Sequence, residues 1–327
     1  MTRTVRILRE ADVRAALDMR SCIDACERAF AAYSTGRAEV PGVIHLDVPE
    51  ARGEIHVKAG HVHGAPFYAV KVASGFYGLE PPAIDGLVVV FDARNGAPVA
   101  LLLDNGYITD LRTGAAGGVA ARYLAPSTVG TVAVIGTGGQ ARQQINALRV
   151  ARPGFRDVRI WGRNREHAVR AAADVATACG AGVAVVTTAS VEQAVRDADV
   201  IVTCTAAREP LVRPDWVKRG AHVTAVGSDG PGKHELDSEL LRRADLIVVD
   251  SKDQCVRLGE LQHAPDQTDR AIELGSICDG SISGRASDDQ LTLCDLTGLG
   301  VQDVAAANAV MANADEGGDV IDVERRT

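Results

Sequence analysis

A glycine-rich turn at residues 136–141 constrains the fold of this chain more than any other feature. It follows the apolar run 131–135 and precedes a segment with helical periodicity. Gly136 permits a tight turn, Gly138 lets a phosphate approach the backbone, and Ala141 lets helix and strand pack closely. The first backbone N–H groups of the helix would face an anion there. A strand, this turn and a helix in that order predict a dinucleotide-binding unit.

The pattern after this turn predicts a parallel sheet. Short apolar segments at 158–161, 183–186, 200–204, 222–226 and 246–249 are separated mostly by helical stretches. Such alternation is typical of βαβ units. Beyond residue 279 we expect loops and then a helix over about 302–314. The fold class is therefore α/β, with a Rossmann-type doubly wound sheet.

The first hundred residues predict a different, smaller α+β domain. Residues 10–35 follow a helical period, whereas 43–103 alternate with period two. Asn95-Gly96 separates two apolar strands, 87–91 and 99–103, and is a strong hairpin signal. We therefore expect a helix, then a mainly antiparallel sheet, then a second helix from about residue 109 to 124.

Composition excludes several classes of protein. The chain has 35 Lys and Arg against 43 Asp and Glu, which argues against a nucleic-acid partner. It has neither an 18-residue uncharged apolar run nor the apolar segment of a signal peptide near its N-terminus. The seven cysteines are scattered, with no Cys-x-x-Cys pair, which favours buried reduced thiols over a metal or redox site. We expect a cytoplasmic protein with no membrane partner.

Cofactor choice is encoded where the second strand of the dinucleotide unit ends. The sequence there is Trp161-Gly162-Arg163-Asn164-Arg165, without the acidic residue that binds the ribose hydroxyls of NAD. Arg163, assisted by Arg165, can pair with a 2′-phosphate, which favours NADP slightly over NAD. An arginine lying flat on the adenine would leave NAD as the alternative. The predicted cofactor contacts are Gly136, Thr137, Gly138, Gly139, Gln140, Ala141, Arg163, Asn164, Thr203, Thr205, Gly227, Ser228 and Thr113.

The predicted sheet of the first domain carries a cluster of cationic residues. His56 and Lys58 are two residues apart and therefore share a face of their strand. Lys71 lies between Val70 and Val72, and a partly desolvated lysine can exchange a proton near neutrality. Arg112, at the start of the following helix, suits a two-pronged grip on a carboxylate. With His45, these residues predict a pocket for a small anionic substrate.

Asp229 is the candidate acid or base in the other domain. It lies in the turn Gly227-Ser228-Asp229, after the strand 222–226. Ligands bind at the carboxyl ends of strands in open α/β sheets, so we expect Asp229 to face a nicotinamide. The alternative is an aspartate that only caps the turn.

Four segments together resemble the ornithine cyclodeaminase/μ-crystallin family. They are 104–116 around Arg112, the turn 134–141, the segment 226–236, and Gly298-x-Gly300-x-x-Asp303. The resemblance extends over about residues 5–315 and is greatest for the subgroup of ectoine-utilisation proteins and iminosuccinate reductases. It implies a homodimer formed through the N-terminal sheet domain. It also implies a substrate-binding and dimerisation domain of residues 1–118 plus 305–327, with an NAD(P)-binding domain over 119–304.

The resemblance also implies residue roles. Lys71 and Arg112 match the residues that hold the substrate carboxylate, and Asp229 matches the acid/base aspartate of the cyclodeaminases. A further carboxylate-binding arginine, common in the family just after a proline, is absent after Pro41. The chain has His45, His56 and Lys58 instead, which could hold a different or a second carboxylate.

These features predict an NAD(P)H-dependent reductase of an imino acid or ketimine, equivalent to an amino-acid dehydrogenase in reverse. Hydride would pass to the C=N carbon beside a carboxylate, and Lys71 or Asp229 would supply the proton. One alternative is a cyclodeaminase-like lyase that recycles bound NAD; the missing arginine and Arg163 count against it. Another is a non-catalytic protein that binds NADPH or a small ligand.

Overall fold

The computed structural model describes residues 2–76, 78–79, 83–314 and 318–324. Its strands are β1 (Thr2–Arg9), β2 (Ala38–Glu39), β3 (Ile44–Val48), β4 (Gly53–Val62), β5 (Phe67–Phe76), β6 (Ala83–Asp92), β7 (Pro98–Leu103), β8 (Thr131–Ile135), β9 (Asp157–Trp161), β10 (Ala184–Thr187), β11 (Val200–Thr203), β12 (His222–Ala225), β13 (Leu246–Val249), β14 (Ile272–Glu273), β15 (Thr292–Asp295) and β16 (Asp319–Glu324).

The helices are α1 (Glu10–Ala16), α2 (Met19–Ser34), α3 (Tyr107–Leu124), α4 (Gly139–Ala151), α5 (Arg165–Cys179), α6 (Val191–Val195), α7 (Ser238–Arg243), α8 (Lys252–Leu258), α9 (Leu274–Cys278) and α10 (Gly300–Asn313). Within the described ranges, none of them combines the length and the apolar character that crossing a bilayer requires.

The first unit comprises Met1–Arg112 and Leu299–Thr327. Its mainly antiparallel sheet has the order β16-β1-β7-β6-β5-β4-β2, with β3 also paired to β4. Helix α10 packs on β4, β5 and α2. Gly300 makes this packing possible, because a side chain there would overlap the carbonyl oxygen of Ala59 in β4. The first turn of α10 is thereby held against the sheet.

The second unit, Thr113–Gly298, is built on a parallel sheet. The strand order is β10-β9-β8-β11-β12-β15-β13-β14, and every pair in it is parallel. The central strands β8, β11 and β12 are almost wholly buried, as expected for a sheet covered by helices on both faces. This arrangement confirms the predicted fold class.

The structure corrects three predictions about individual elements. The helix predicted over 10–35 is two helices, because the carboxylate of Asp18 accepts the backbone N–H of Ser21 and starts α2 as a new helix. Strand β15, four buried residues long, lies between β12 and β13 where loops were predicted. Strands β1 and β16 were also not predicted, and they pair with each other at one edge of the first sheet.

Other local predictions are confirmed. The Asn95-Gly96 hairpin joins the antiparallel strands β6 and β7, with Gly96 at φ 70°. The predicted domain boundaries, at 118/119 and 304/305, lie within α3 and α10. The two compact units of the structure meet at 112/113 and 298/299, six residues before each predicted boundary.

Candidate active site

The glycine-rich turn of the second unit has the geometry that a dinucleotide requires. Gly136 has φ 140°, and an added Cβ would lie 2.6 Å from the Sγ of Cys204. An added Cβ at Gly138 would meet no atom within 4 Å, so its backbone faces open space. Gly139 begins α4, and Ala141 is fully buried against the sheet. The residues present therefore fit a pyrophosphate held at the N-terminus of a helix.

A groove of about 530 Å³ opens beside this turn. Its lining comes from the turn Gly136–Gly138, from the end of β9 at Trp161–Asn164, and from the segment Cys204–Ala207 after β11. These are the carboxyl ends of three adjacent strands, where open α/β sheets bind their ligands. Thr137 and Thr205, two of the predicted cofactor contacts, line this groove.

The end of β9 carries a cation and no carboxylate among the described residues that line the groove. Arg163 is exposed and lines the groove. Asn164 also lines it, but its side-chain oxygen accepts the backbone N–H groups of Glu166 and His167 and caps α5. Asn164 thus begins the helix after Arg163. That role is structural. Arg163 and His167 are the other polar side chains that line this end of the groove.

Three predicted cofactor residues surround a carboxylate that the sequence analysis missed. Glu235 is fully buried and accepts hydrogen bonds from Thr203 Oγ1 at 2.8 Å and from Gly227 N at 2.8 Å. It also accepts from the backbone N and the hydroxyl of Thr205, at 2.6 and 2.7 Å. Glu235 lies within the segment 226–236, which resembles the family. That resemblance was the signal in the sequence that could have identified Glu235.

Asp229 lies in a loop that is held by its own residues. Lys233 Nζ donates to its carboxylate at 2.6 Å, and the Asp229 side chain is 40% exposed. Ser228 Oγ donates to the carbonyl of Lys233 at 2.9 Å and is buried. The hydroxyl of Ser228 therefore stabilises the loop. Asp229 keeps solvent access beside a cation.

Two other predicted cofactor residues occupy helices of the second unit. Thr113 lies in α3, where its carbonyl accepts a hydrogen bond from Gln144 Nε2 at 3.0 Å. Gln140 lies in the first turn of α4. A residue that was not predicted, Arg142, donates from Nη1 to the carbonyls of Thr137 and Gly138 at 2.9 Å each. Arg142 thereby fixes the glycine-rich turn.

In the first unit, Lys71 and Arg112 meet at a carboxylate. Lys71 Nζ donates to Asp303 Oδ1 at 2.8 Å, and Arg112 Nε lies 3.1 Å from the same oxygen. Lys71 is 2% exposed, Arg112 6% and Asp303 1%. Arg112 Nε is not aligned for a hydrogen bond, and Asp303 Oδ2 accepts none from the part of the chain that is described. Buried polar atoms without a hydrogen-bond partner call for an explanation, and a binding site for a polar ligand is one such explanation.

The burial of this cluster changes its titration. Desolvation, with the nearby charges of Arg112 and Lys58, lowers the pKa of Lys71 to about 7, although Asp303 opposes the shift. Burial alone would raise the pKa of Asp303, but Lys71, Arg112 and Lys58 hold it below its usual value. Lys71 can therefore exchange a proton near neutral pH. The sequence analysis named Asp303 only as the last residue of the motif Gly298-x-Gly300-x-x-Asp303 and predicted no role for it.

The other predicted substrate residues continue along the same face of the sheet. Lys58 pairs directly with Lys71 across β4 and β5, and it is 7% exposed. His56, two residues earlier, pairs with His45 of β3, and their rings meet edge to face at 4.7 Å. The structure thus places Lys71, Lys58, His56 and His45 in one row from the buried cluster outward. We call this row the cationic row.

Carboxylates accompany the outer end of the cationic row. Asp47 Oδ1 lies 3.0 Å from His45 Nε2, and Glu54 Oε1 lies 3.9 Å from His56 Nε2. Asp104 lies near its inner end, is 1% exposed, and accepts the backbone N–H of Ile108 at the start of α3. Burial raises the pKa of Asp104 to about 6. Sequence analysis assigned Asp104 no role.

Comparison with known proteins places the chain among nicotinamide-dependent enzymes. The model of the ornithine cyclodeaminase/mu-crystallin family matches residues 3–318. A Rhizobium meliloti protein that is named as a dehydrogenase is 40% identical to this chain. The match covers 96% of this chain and 97% of the Rhizobium protein. The alanine dehydrogenase of Archaeoglobus fulgidus is 35% identical, over 94% of both chains.

Solved structures give the same result. An archaeal alanine dehydrogenase dimer with bound NAD has a TM-score of 0.88 at 32% identity, covering 98% of this chain and 99% of its own. The Thermococcus litoralis Δ1-pyrroline-2-carboxylate reductase, with NADH and L-proline, has a TM-score of 0.86 at 30% identity, covering 95% and 97%. The Paracoccus denitrificans iminosuccinate reductase with NAD+ has a TM-score of 0.84 at 29% identity, covering 99% and 100%.

Proposed function

This chain belongs to the ornithine cyclodeaminase/mu-crystallin family, and from that premise we propose that it is an NAD(P)H-dependent reductase of an α-imino acid or ketimine. One observation carries the proposal: the buried cations Lys71 and Arg112 meet at Asp303, and Arg112 Nε makes no hydrogen bond to any described residue. A substrate carboxylate would supply the missing acceptor. The similarity to reductases of imino acids supports this choice of substrate class.

Arg112 and Lys71 would hold the carboxylate beside the reacting C=N bond. A guanidinium offers two parallel donors to a carboxylate, which fixes its orientation as well as its position. Orienting the reactants can contribute ~7–11 kcal/mol to lowering a barrier. Asp303 would hold both cations in place in the absence of substrate, because its Oδ1 lies 2.8 Å from Lys71 Nζ and 3.1 Å from Arg112 Nε.

The proton balance of the reduction would be met by Lys71 or Asp229. NAD(P)H bound in the groove would supply a hydride to the imine carbon. The imine nitrogen must gain a proton so that the product is the amine. The pKa of Lys71 is lowered to about 7 by burial, which suits proton donation at neutral pH. Asp229 already forms an ion pair with Lys233 at 2.6 Å, whereas Lys71 belongs to the cluster that would hold the substrate carboxylate, which favours Lys71 as the donor.

The cationic row supports a substrate with a second carboxylate. Lys58 is the direct cross-strand neighbour of Lys71, and His56 and His45 lie further along the same face. A ligand anchored at Arg112 and Lys71 would therefore extend over Lys58 and His56. In this proposal the Lys58→Gln variant loses much more activity with a dicarboxylic imine than with a monocarboxylic one.

The sheet domain would also form a homodimer. The face opposite the cationic row carries Ile44 and Leu46, which are 57% and 51% exposed. Ile55 and Val57 pair with them across β4 and are only partly buried, so the apolar surface is continuous. Exposed apolar surface of this kind marks an interaction site. The dimeric alanine dehydrogenase supports a second copy of the chain as the partner.

An assay with purified protein tests the proposed activity. Candidate imino acids, formed from 2-oxo acids with ammonia or supplied as cyclic imines, are offered with NADPH or NADH while absorbance of the reduced nicotinamide is followed. Stoichiometric oxidation of the cofactor supports the reductase. Ammonia release from ornithine or diaminobutyrate without net cofactor change would refute it in favour of the lyase. Tight cofactor binding with neither reaction would favour a binding protein.

A further inference from the structure

Glu235 uses both carboxylate oxygens to join the ends of two neighbouring strands. Oε2 accepts from Thr203 Oγ1 at the end of β11 and from Gly227 N just after β12, both at 2.8 Å. Oε1 accepts from the backbone N and the hydroxyl of Thr205, at 2.6 and 2.7 Å. Four donors fill the capacity of a carboxylate, and hydrogen bonds to a charged acceptor are stronger than neutral ones. Burial raises the pKa of Glu235, and these four donors oppose that shift.

The two backbone segments that Glu235 joins pack closely against each other. A side chain at position 227 would overlap backbone atoms of Thr205, so the two backbones are already in close approach. Thr205 lines the groove beside the glycine-rich turn. The position of one wall of the groove therefore depends on the hydrogen bonds to Glu235.

A second buried carboxylate fixes the backbone of Glu235 itself. Glu260 Oε1 accepts Glu235 N at 2.8 Å, and Oε2 accepts Leu236 N at 3.2 Å. Gly227 and Glu235 are the two ends of the loop that carries Asp229 and Lys233. Both ends of this loop are therefore held from the protein interior, and the loop itself is closed by the Ser228 and Lys233 contacts.

We infer that Glu235 is a positioning residue for the nicotinamide half of the bound cofactor. It holds Thr205 and the start of the loop 227–235 in one arrangement before the cofactor binds. The adenosine half depends instead on the glycine-rich turn and on Arg163, which Glu235 does not contact. The inference rests on the proposed function only in that the groove holds NAD(P)H.

Binding of whole and truncated cofactors tests this inference. Calorimetry measures the Kd of NADH and NADPH, and of ADP-ribose and its 2′-phosphate, which lack the nicotinamide. Glu235→Gln replaces one acceptor by an NH2 group that faces donors, so we expect a loss of about tenfold or more in dinucleotide affinity. Affinity for the truncated ligands should change by less than about twofold. Thr205→Val, which removes one donor, should produce a smaller loss with the same selectivity.

A matched control separates positioning from general destabilisation. His222 is fully buried at the opposite end of β12, where Thr292 and Thr224 contact its two ring nitrogens. His222→Gln should lower the Tm while leaving the ratio of the two affinities unchanged. Equal losses for whole and truncated ligands in Glu235→Gln, or no loss in either, would overturn the inference. The proposed function alone would be refuted if the wild-type protein bound NADH and NADPH and Glu235→Gln lost affinity only for the whole dinucleotides, but no imine was reduced.

Discussion

At the scale of single residues, burial lowers the pKa of Lys71 in the first unit. Lys71 and Lys58 face each other across two strands, and both are nearly inaccessible. Two buried cations beside Arg112 are costly to keep charged unless anions accompany them. Asp303 provides one anion, and the proposed substrate provides another. This balance makes Lys71 titrate near neutrality, whereas an exposed lysine would remain charged.

The pH dependence of turnover should follow the proton on Lys71. Its pKa is about 7, so the protonated fraction falls as the pH rises through that value. If Lys71 donates the proton, kcat for imine reduction should fall by about tenfold per pH unit well above this pKa. Asp303→Asn removes a charge that supports the ammonium, so the fall should begin at lower pH. Stopped-flow rates at saturating substrate measure both profiles.

Lys71→Met serves as the control for this profile. It should abolish turnover and spare the Kd of the cofactor, because the glycine-rich turn and its groove belong to the second unit. A Lys71→Met enzyme that turned over with an unchanged pH profile would remove Lys71 from the mechanism.

Arg163 should decide between the two nicotinamide cofactors. It lines the groove at the end of β9, without an acidic neighbour among the described lining residues. We expect Arg163→Ala to lower the affinity for NADPH by about tenfold or more, since a charge-assisted hydrogen bond to phosphate contributes ~1.5–3 kcal/mol. The affinity for NADH should change little. Arg170→Ala is the matched control, because Arg170 is an exposed arginine of α5 that does not line the groove. Equal losses for both cofactors would contradict the phosphate assignment.

At the scale of elements, close backbone approach explains the positions of particular glycines. Gly136 combines φ 140° with contact to Cys204, and Gly138 faces open space, although both belong to one turn. The first glycine is required by the fold, and we propose that the second is required by the ligand. The sequence motif predicts both requirements, because each favours a residue without a side chain.

Alanine at these two positions should therefore give different defects. Gly136→Ala should lower the free energy of unfolding by about 1–3 kcal/mol, because the added Cβ meets Cys204 in a strained backbone region. Gly138→Ala should leave the free energy of unfolding nearly unchanged. It should weaken binding of the cofactor, since the methyl group occupies the space proposed for the pyrophosphate. Urea denaturation and cofactor titration measure the two effects. Equal destabilisation of both variants would contradict this division.

At the scale of the whole molecule, the uncovered face of the first sheet predicts self-association. Ile44 and Leu46 lie on the face of β3 opposite to His45, and both are more than half exposed. Replacing both by Asp should convert a dimer to monomers in light scattering after size-exclusion chromatography. The matched control is Val186→Asp, because Val186 is 52% exposed on β10 in the second unit. Dimers that persist in the double variant would exclude this face as the interface.

Much of the fold was predictable because its signals are local. Strand–turn–helix order, the hairpin at Asn95-Gly96 and the period of the strands depend only on neighbouring residues. Strand β15 was missed because its residues Thr-Leu-Cys-Asp are short, wholly buried and without alternation, and only the flanking strands β12 and β13 make it a strand. The break before α2 was missed because apolar periodicity continues through the cap at Asp18.

The sequence by itself determined the dinucleotide turn, the parallel and antiparallel sheets, and the cations that a substrate carboxylate would need. These depend on spacing and on backbone requirements that each residue carries with it. Only the tertiary structure decided that Asp303 meets Lys71 and Arg112, that Lys58 faces Lys71, and that Glu235 joins two strand ends. Those contacts connect residues far apart in the chain, and their burial sets the pKa values. The pairing of strands and helices, which no local pattern records, brings them together.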